Sequence, residues 1–378
     1  MRPVAERIVA ADVDDAAEEA YRRGWTDGLP VVPPTETKVS RFLEYLGRDP
    51  QEHLGIVPPK NGIATLEKVV INCVMAGCLP EYVPIVLAGL RAMLEPAFNL
   101  NGVQATTHCV SPLAIVSGPV AQKLGFNAGD GCFGGGSRAN ATVGRALRLI
   151  LWNIGGGRPG EIDKATFGHP GKYTYCIAEN QKDNPWEPLH VERGLKPEDS
   201  AVTMFGCEAP HSVMAGPGPA LASLTTIADC IATLGSNNTH LGGESLVCIG
   251  PRIASVLARA GFTRRTVKEY LYENARKPLG ALKRGPRASD VEGNSDFLWP
   301  KRRNTEALDP EMRRRLWPKW IDEQRDDTMA PIFERPEDIH IVVAGGWGAT
   351  AGFCMVCPGW GHMGGLAQTE RIESPAPK

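Results

Sequence analysis

The sequence has little net charge, few aromatic residues and no long apolar run. Its 378 residues carry 41 Lys and Arg against 43 Asp and Glu, a formal net charge of −2. A chain so nearly neutral has no overall field that would attract nucleic acid or an anionic membrane surface, so neither partner is expected. No apolar run approaches the roughly 18 residues that span a bilayer. Acidic residues stand near the N-terminus where a secretory signal needs an apolar core, and we expect a cytoplasmic protein.

Glycine and proline are abundant instead. The 42 glycines and 31 prolines are spread among apolar segments and form no low-complexity tract, which predicts a compact α/β protein with many loops. A cytoplasmic setting predicts that the ten cysteines are reduced. Most of them are expected to be small core residues, and two or three to be reactive or metal-binding.

A Thr-His pair followed eleven residues later by a Gly-Pro pair occurs twice, and the two copies lie 132 residues apart. The first copies lie at 107–108 and 118–119, the second at 239–240 and 250–251, with an apolar run between them each time. The repetition predicts two related, duplicated α/β halves with an active-site cleft between them. A histidine just before a buried strand can be a general base, a metal ligand or a core residue. We expect the chemistry at His108 rather than His240, because only the first copy is followed by a glycine-rich loop and a polar cluster.

Local patterns divide the chain into five regions. These are a helical N-terminal region over 1–100, a first α/β half over 101–200, a second half over 201–276, a charged insertion over 277–337, and a final strand with a Gly- and Cys-rich tail over 338–378. The insertion carries Trp299, Trp317 and Trp320. It is either a lid or oligomer arm that grips a partner, or a solvated insertion whose tryptophans pack back on the body.

A glycine-rich loop over 125–136 leads into a predicted helix with Ser137 as its N-cap. Backbone N–H groups at a helix N-terminus bind anions. The loop matches neither the Walker pattern nor the dinucleotide fingerprint. It is expected to hold a phosphate or a substrate carboxylate, the alternative being a structural loop that allows tight packing. The predicted substrate-binding residues are Gly134, Gly135, Ser137, Arg138, Asn140 and Trp186.

The stretch 170–193 combines a thiol, carboxylates, an imidazole and cations. Cys176 is a candidate nucleophile, because a cytosolic thiol beside histidine and carboxylates can be activated. Glu179 would end a strand and point away from the Cys176 face, as a general base facing a cleft would. Glu187, His190 and Glu192 are possible metal ligands, and His211 can join the site. The predicted catalytic residues are His108, Cys176, Glu179, His190 and Glu208.

Cys354 and Cys357 form a Cys-x-x-Cys motif with His362 five residues further on. Such a motif is a redox pair or part of a metal site, and three ligands with an open position suit a catalytic metal. We predict that these three residues bind a transition metal (Zn, Fe, Mn or Cu), with a redox dithiol or inert thiols as the alternatives. The loop at 345–348, Gly-Gly-Trp-Gly after a predicted strand, is a candidate nucleotide loop.

Several of these motifs together resemble a bacterial family of largely uncharacterised proteins. The similar segments lie within 20–262 and are 25–35 (WTDGLPVVPPT), 102–108, 138–142, 170–179 and 186–193. Members of that family are similar to, or encoded with, small proteins named for a UGSC motif, in which a selenocysteine or cysteine precedes another cysteine by three residues. The resemblance implies a thiol or selenol redox step on a small molecule. The chain departs from the family at Cys109, where proline is expected, in the insertion and in the Cys354/Cys357 tail.

These observations predict an enzyme that acts on a small anionic organic substrate by thiol-linked redox chemistry. A metal-dependent hydrolase or lyase with His, Glu and Cys ligands is one alternative. A non-catalytic substrate-binding subunit of a redox complex is the other. A homo- or hetero-oligomer is expected, with a small UGSC-type protein as the candidate protein partner.

Overall fold

A computed structural model of the chain describes residues 4–216, 218–284, 325–348, 352–361 and 365–373. It has a mixed α/β fold, which confirms the predicted class. The helices are α1 Val13–Arg22, α2 Glu36–Leu46, α3 Leu66–Ala76, α4 Val83–Leu94, α5 Leu100–Gln104, α6 Pro119–Lys123, α7 Arg138–Asn153, α8 Leu189–Glu192, α9 Ala220–Ile231, α10 Asn237–Leu241, α11 Pro251–Arg259, α12 Arg264–Asn274 and α13 Leu279–Arg284. The strands are β1 His53–Val57, β2 Gly62–Thr65, β3 Ser111–Ser117, β4 Cys176–Ala178, β5 Ala201–Cys207, β6 His211–Met214, β7 Ser245–Ile249, β8 Arg276–Pro278, β9 Met329–Pro331, β10 Ile339–Val343, β11 Phe353–Pro358 and β12 Gln368–Arg371.

Two four-stranded sheets make up the centre of the described structure. Sheet 1 has the strand order β4-β3-β5-β12, and sheet 2 has the order β10-β7-β11-β6. In sheet 1, β3 is parallel to β4 and antiparallel to β5. In sheet 2, β7 is parallel to β10 and antiparallel to β11. The two sheets therefore share one pattern of strand directions.

The edge strands β6 and β12 are exchanged between the sheets. β6 follows β5 of sheet 1 closely along the chain but pairs with β11 in sheet 2. β12 follows β11 of sheet 2 but pairs with β5 in sheet 1. The predicted boundary between residues 200 and 201 does not coincide with a division between the sheets, because β5 lies with β3 in sheet 1.

The sheets pack face to face between two layers of helices. Neighbouring residues of a strand point to opposite faces of its sheet. Leu113 and Ile115 of sheet 1 share an inner core with Leu246 and Cys248 of sheet 2. Helices α3, α4 and α7 cover the outer face of sheet 1, and α9, α11 and α12 cover that of sheet 2. Each fully buried Leu or Ile stabilises this four-layer arrangement by about 1.5–3 kcal/mol.

Short-range signals set the helix boundaries. The Ser137 side chain accepts a hydrogen bond from Asn140 N, which confirms Ser137 as the N-cap of α7. Gly47 ends α2 with a φ of 65°, a conformation that glycine adopts without strain. Pro119 and Pro251 occupy the first turn of α6 and α11, immediately after the repeated glycines.

No single helix in the described part of the chain is both long and apolar enough to cross a membrane; the pair Pro80–Leu94 and Pro96–Gln104 meets the criterion jointly but is bent by 75°. The predicted charged insertion falls largely on residues 285–324, and Trp299, Trp317 and Trp320 lie outside the described residues.

Candidate active site

His108 and Glu208, two of the predicted catalytic residues, meet at the amino end of β3. His108 lies in the loop between α5 and β3, and Glu208 directly follows β5. Because β5 is antiparallel to β3, its carboxyl end reaches the amino end of β3. His108 Nε2 lies 2.8 Å from Glu208 Oε1. The side chains are 22% and 25% exposed, so solvent and small molecules can reach the pair.

The hydrogen bonds of His108 define its tautomer. Val110 N donates to His108 Nδ1 at 3.2 Å. A backbone N–H can only donate, so Nδ1 is an acceptor and the ring proton lies on Nε2, which donates to Glu208. Both ring nitrogens are thereby occupied. Among the described residues, no hydrogen bond forms to Glu208 Oε2, so this oxygen is the open acceptor of the pair.

Backbone contacts fix Glu208 where the two sheets meet. Its N–H donates to Pro358 O of sheet 2 at 2.9 Å. Its carbonyl accepts a hydrogen bond from Tyr175 Oη at 2.9 Å. Tyr175 is buried between the sheets, so the carboxylate stands on a rigid support. Rigid placement of a reactive group removes an orientational cost from the reaction that it promotes.

A thiol and an ammonium group lie next to the pair. Burial raises the pKa of Cys109; the charge of Glu208 adds to the increase, and Lys172 opposes it. Lys172 Nζ pairs with Asp163 Oδ2 at 2.6 Å, and burial lowers the pKa of Lys172. Cys109 is therefore a partly exposed neutral thiol, and Lys172 is a cation neutralised in part by its own partner.

His169, which sequence reasoning did not single out, is the second imidazole here. Burial, followed by the Lys172 and Arg148 charges, lowers its pKa to about 4. Its Nδ1 accepts from Gly171 N at 3.1 Å, and its ring packs edge-on against Tyr175, 5.5 Å between centroids. His169 is thus neutral at physiological pH with its proton on Nε2. Its place before Pro170-Gly171, where it caps a turn, is the local signal that could have marked it.

Glu179 lies at the opposite end of sheet 1, where its carboxylate is buried in a network of hydrogen bonds and an ion pair. Its side chain is fully buried and its ion-pair partner Arg264 is 5% exposed. Leu189 N donates to both of its oxygens, at 2.9 and 3.1 Å, and Asn184 Nδ2 donates at 3.0 Å. Burial raises the pKa of Glu179 while the Arg264 charge opposes the rise. With no exposed oxygen, Glu179 cannot serve as the general base of a cleft, and that prediction is wrong.

Cys176 and His190 are also buried away from His108. Cys176 faces the α7 layer rather than the inner core, and burial raises the pKa of its thiol strongly. A thiol is a nucleophile only as thiolate, so the structure contradicts the nucleophile prediction. His190 is fully buried with its Nε2 3.4 Å from Pro197 O. Burial lowers its pKa, and its role is structural rather than catalytic.

The predicted substrate-binding side chains are mostly engaged within the protein. Asn140 Oδ1 accepts from Asn127 N and Ser137 Oγ, both at 2.8 Å, which pins the glycine-rich loop. Arg138 donates to Gly77 O through two nitrogens. Trp186 Nε1 donates to Phe262 O at 2.9 Å. Gly134 and Gly135 are exposed, but the N–H of Gly134 already donates to Gly131 O at 2.7 Å.

Cys354 and Cys357 point to opposite faces of sheet 2. Both lie on β11, and two residues that are three positions apart on a strand point to opposite faces of the sheet. Cys354 packs in the outer core, and Cys357 packs in the inner core between the sheets. They cannot share a metal or form one dithiol, so the metal-ligand prediction is wrong for the pair. His362 lies outside the described residues, within which no group of three or more His, Cys, Asp or Glu could hold a metal ion.

Comparison of the chain with protein-family models, curated proteins and solved structures finds no match.

Proposed function

We propose that the protein is an enzyme that moves a proton on a small organic molecule, with Glu208 as the general base. The observation that carries this proposal is the 2.8 Å hydrogen bond between His108 and Glu208. It joins two chemically active side chains 100 residues apart in sequence, both partly exposed. Carboxylate–imidazole pairs of this kind supply proton transfer in many enzymes.

Within this proposal, Glu208 is the catalytic residue and His108 is a positioning residue. His108 uses both ring nitrogens, one on Glu208 and one on Val110 N. Glu208 Oε2 takes a proton from a C–H bond next to a carbonyl or carboxylate group, and the electron pair of that bond becomes an enolate. The proton returns from the Glu208 carboxylic acid to carbon. Lys172, whose charge already acts at Cys109, supplies positive charge near the developing anion.

Thiol-linked redox chemistry is supported less well by the cysteine positions. Cys109 and Cys230 are partly exposed, and the other cysteines are buried. Cys109 lies next to Glu208, but burial and the negative charge of Glu208 raise the pKa of its thiol, which disfavours a thiolate. Association with a small UGSC-type protein stays a prediction.

We also infer that the two sheets derive from an internal duplication. Their strand orders and directions are the same. Glu179 N donates to Val116 O at 2.9 Å in sheet 1, and Ala344 N donates to Ile249 O at 3.2 Å in sheet 2. These two bonds are equivalent. In sheet 1 the residue that follows β4 bonds to the end of β3, and in sheet 2 the residue that follows β10 bonds to the end of β7. The repeated Gly-Pro pairs follow the same two strands.

This duplication favours chemistry on the His108 side. The equivalent hydrogen bonds relate Val116 to Ile249, which is one residue out of step with the 132-residue sequence repeat; Val116 pairs with Val202, and Ile249 pairs with Cys354. Val202 on β5 is therefore equivalent to Cys354 on β11. Glu208 lies six residues after Val202, and Trp360 lies six residues after Cys354, so Glu208 corresponds to Trp360. The second half therefore has no carboxylate at the position that supplies the base in the first half.

The test is solvent-deuterium exchange. The full-length protein is incubated in D2O with a panel of small carboxylic acids, keto acids and aldehydes, and NMR follows loss of C–H signal. We expect at least one compound to exchange, and Glu208→Gln to slow that exchange by about 10²- to 10⁴-fold. Glu198→Gln, at an exposed site away from the pair, is the matched control and should match the wild type. Equal exchange by Glu208→Gln and wild type would refute the proposal.

A further inference from the structure

A cleft lies at the end of the sheets opposite His108 and Glu208. Its volume is about 430 Å³, within the range of small-ligand sites. It opens at the carboxyl ends of β4 and β10, where Asn180 N donates to Val343 O at 2.8 Å and so joins the two sheets. Parallel strands with helical crossovers usually bind their ligands at this end.

Within the described part of the chain, three loops line the cleft, and their side chains there are acidic or neutral. Asp130 belongs to the glycine-rich loop, and Asp183 follows β4. Asn180 Nδ2 donates to Asp183 Oδ2 at 3.1 Å, and Asp183 N donates to Asn180 Oδ1 at 3.2 Å, which holds this carboxylate in place. In the described ranges neither Asp130 nor Asp183 forms an ion pair. The two carboxylates outnumber the one guanidinium that bonds to the cleft's lining, that of Arg252, which leaves the cleft with a negative potential.

The third loop, residues 345–348, adds an exposed aromatic side chain to the same cleft. The Trp347 side chain is 47% exposed, yet its backbone is anchored. Arg252 Nε donates to Trp347 O and Arg252 Nη2 donates to Gly348 O, both at 3.0 Å. Gly346 allows the 345–348 loop to lie close to the glycine-rich loop, because a Cβ at position 346 would collide with the Asp130 carboxylate. The indole thus belongs to the same cleft as the two carboxylates.

We propose that this cleft binds a small organic cation, a substituted ammonium group of about the size of choline. Carboxylates and an indole in one cleft are the two chemistries that recognise such a group, by charge attraction and by cation–π interaction. The two carboxylates of the lining disfavour a phosphate, so we expect the glycine loops here to bind no nucleotide. The proposal is independent of proton transfer at Glu208, which lies at the other end of the sheets.

The test is isothermal titration of the full-length protein with choline and with 3,3-dimethyl-1-butanol, its neutral isostere. Choline is expected to bind saturably in the millimolar range or below, and the isostere about tenfold more weakly, because it lacks the charge. Asp183→Asn and Trp347→Ala are each expected to weaken choline binding by about two- to fivefold. Asp14→Asn, an exposed acid on α1, is the matched control and should not change it.

Several outcomes would overturn the proposal. These are the absence of saturable choline binding, equal binding of choline and its isostere, and choline binding that survives both cleft substitutions. ADP binding that is lost in Trp347→Ala would assign the cleft to an anion instead. Circular dichroism of each variant separates loss of binding from loss of fold.

Discussion

Glu179→Ala is expected to destabilise the protein strongly, although sequence reasoning placed Glu179 among the catalytic residues. The substitution removes the acceptor of Leu189 N–H and one of two carboxylates that Arg264 contacts. Arg264 keeps Glu192, whose Oε2 lies 2.7 Å from its Nη1. Removing one partner of a buried ion pair costs about 3–5 kcal/mol. Because Arg264 retains a second carboxylate, we expect the lower end, about 3 kcal/mol.

Urea-induced unfolding of wild type, Glu179→Ala, Arg264→Ala and the double variant measures this effect. The two side chains are in contact, so the cycle should give a coupling energy of about 0.5–3 kcal/mol. Glu187→Ala, an exposed carboxylate in the same loop, is the control and should stay within about 0.5 kcal/mol of wild type. Deuterium exchange per folded molecule should be unchanged in Glu179→Ala. A loss of stability below about 0.5 kcal/mol would refute the structural role.

Three further predictions concern thiols, packing and pH. In the native protein, a thiol reagent should label Cys109 and Cys230 slowly, because burial raises the pKa of both thiols, and the other cysteines only on unfolding; labelling of a buried thiol before unfolding would contradict the core assignments. Gly144→Ala should cost about 1–3 kcal/mol in urea unfolding, because its Cβ would lie 2.7 Å from Tyr175 N, whereas the Cβ of Gly135→Ala meets nothing within 4 Å and should have little effect. His169 has a folded pKa of about 4, below its unfolded value of about 6.5, so the unfolded state binds the proton more tightly and stability falls as pH decreases from about 6.5 towards 4. Discounted for partial exposure, this loss is about 1 kcal/mol between pH 7 and pH 5; His169→Asn, which keeps an acceptor for Gly171 N, should lose correspondingly less, and equal losses would contradict the shift.

The helices were the most predictable part of the fold, because their signals are local. Ser137 caps α7 as expected, because its hydroxyl accepts the hydrogen bond of Asn140 N three residues along the chain. The exchange of β6 and β12 could not be anticipated. It depends on which sheet offers a free edge. Neither the short loop after β5 nor the glycine-rich segment after β11 carries a sequence pattern that identifies the partner strand.

The residues of the site could be predicted from the sequence, but their positions relative to one another could not. His108 and Glu208 were each recognisable as polar residues beside a buried strand, but their contact follows from the antiparallel pairing of β3 with β5. Cys176 and Glu179 looked equally suitable until burial separated them from solvent. The Cys-x-x-Cys motif misled because its spacing suits a loop or a helix, whereas on a strand it sends the two thiols to opposite faces.

The most direct test of the account is the deuterium exchange rate of the wild type, Glu208→Gln and His108→Asn measured side by side on the same exchanging compound. If Glu208 is the base and His108 only orients it, Glu208→Gln should reduce the rate to the uncatalysed background, while His108→Asn should retain a measurable part of it. A His108→Asn variant at background, beside a Glu208→Gln variant that still exchanges, would reverse the two roles. Wild-type rates in both variants would contradict the site altogether.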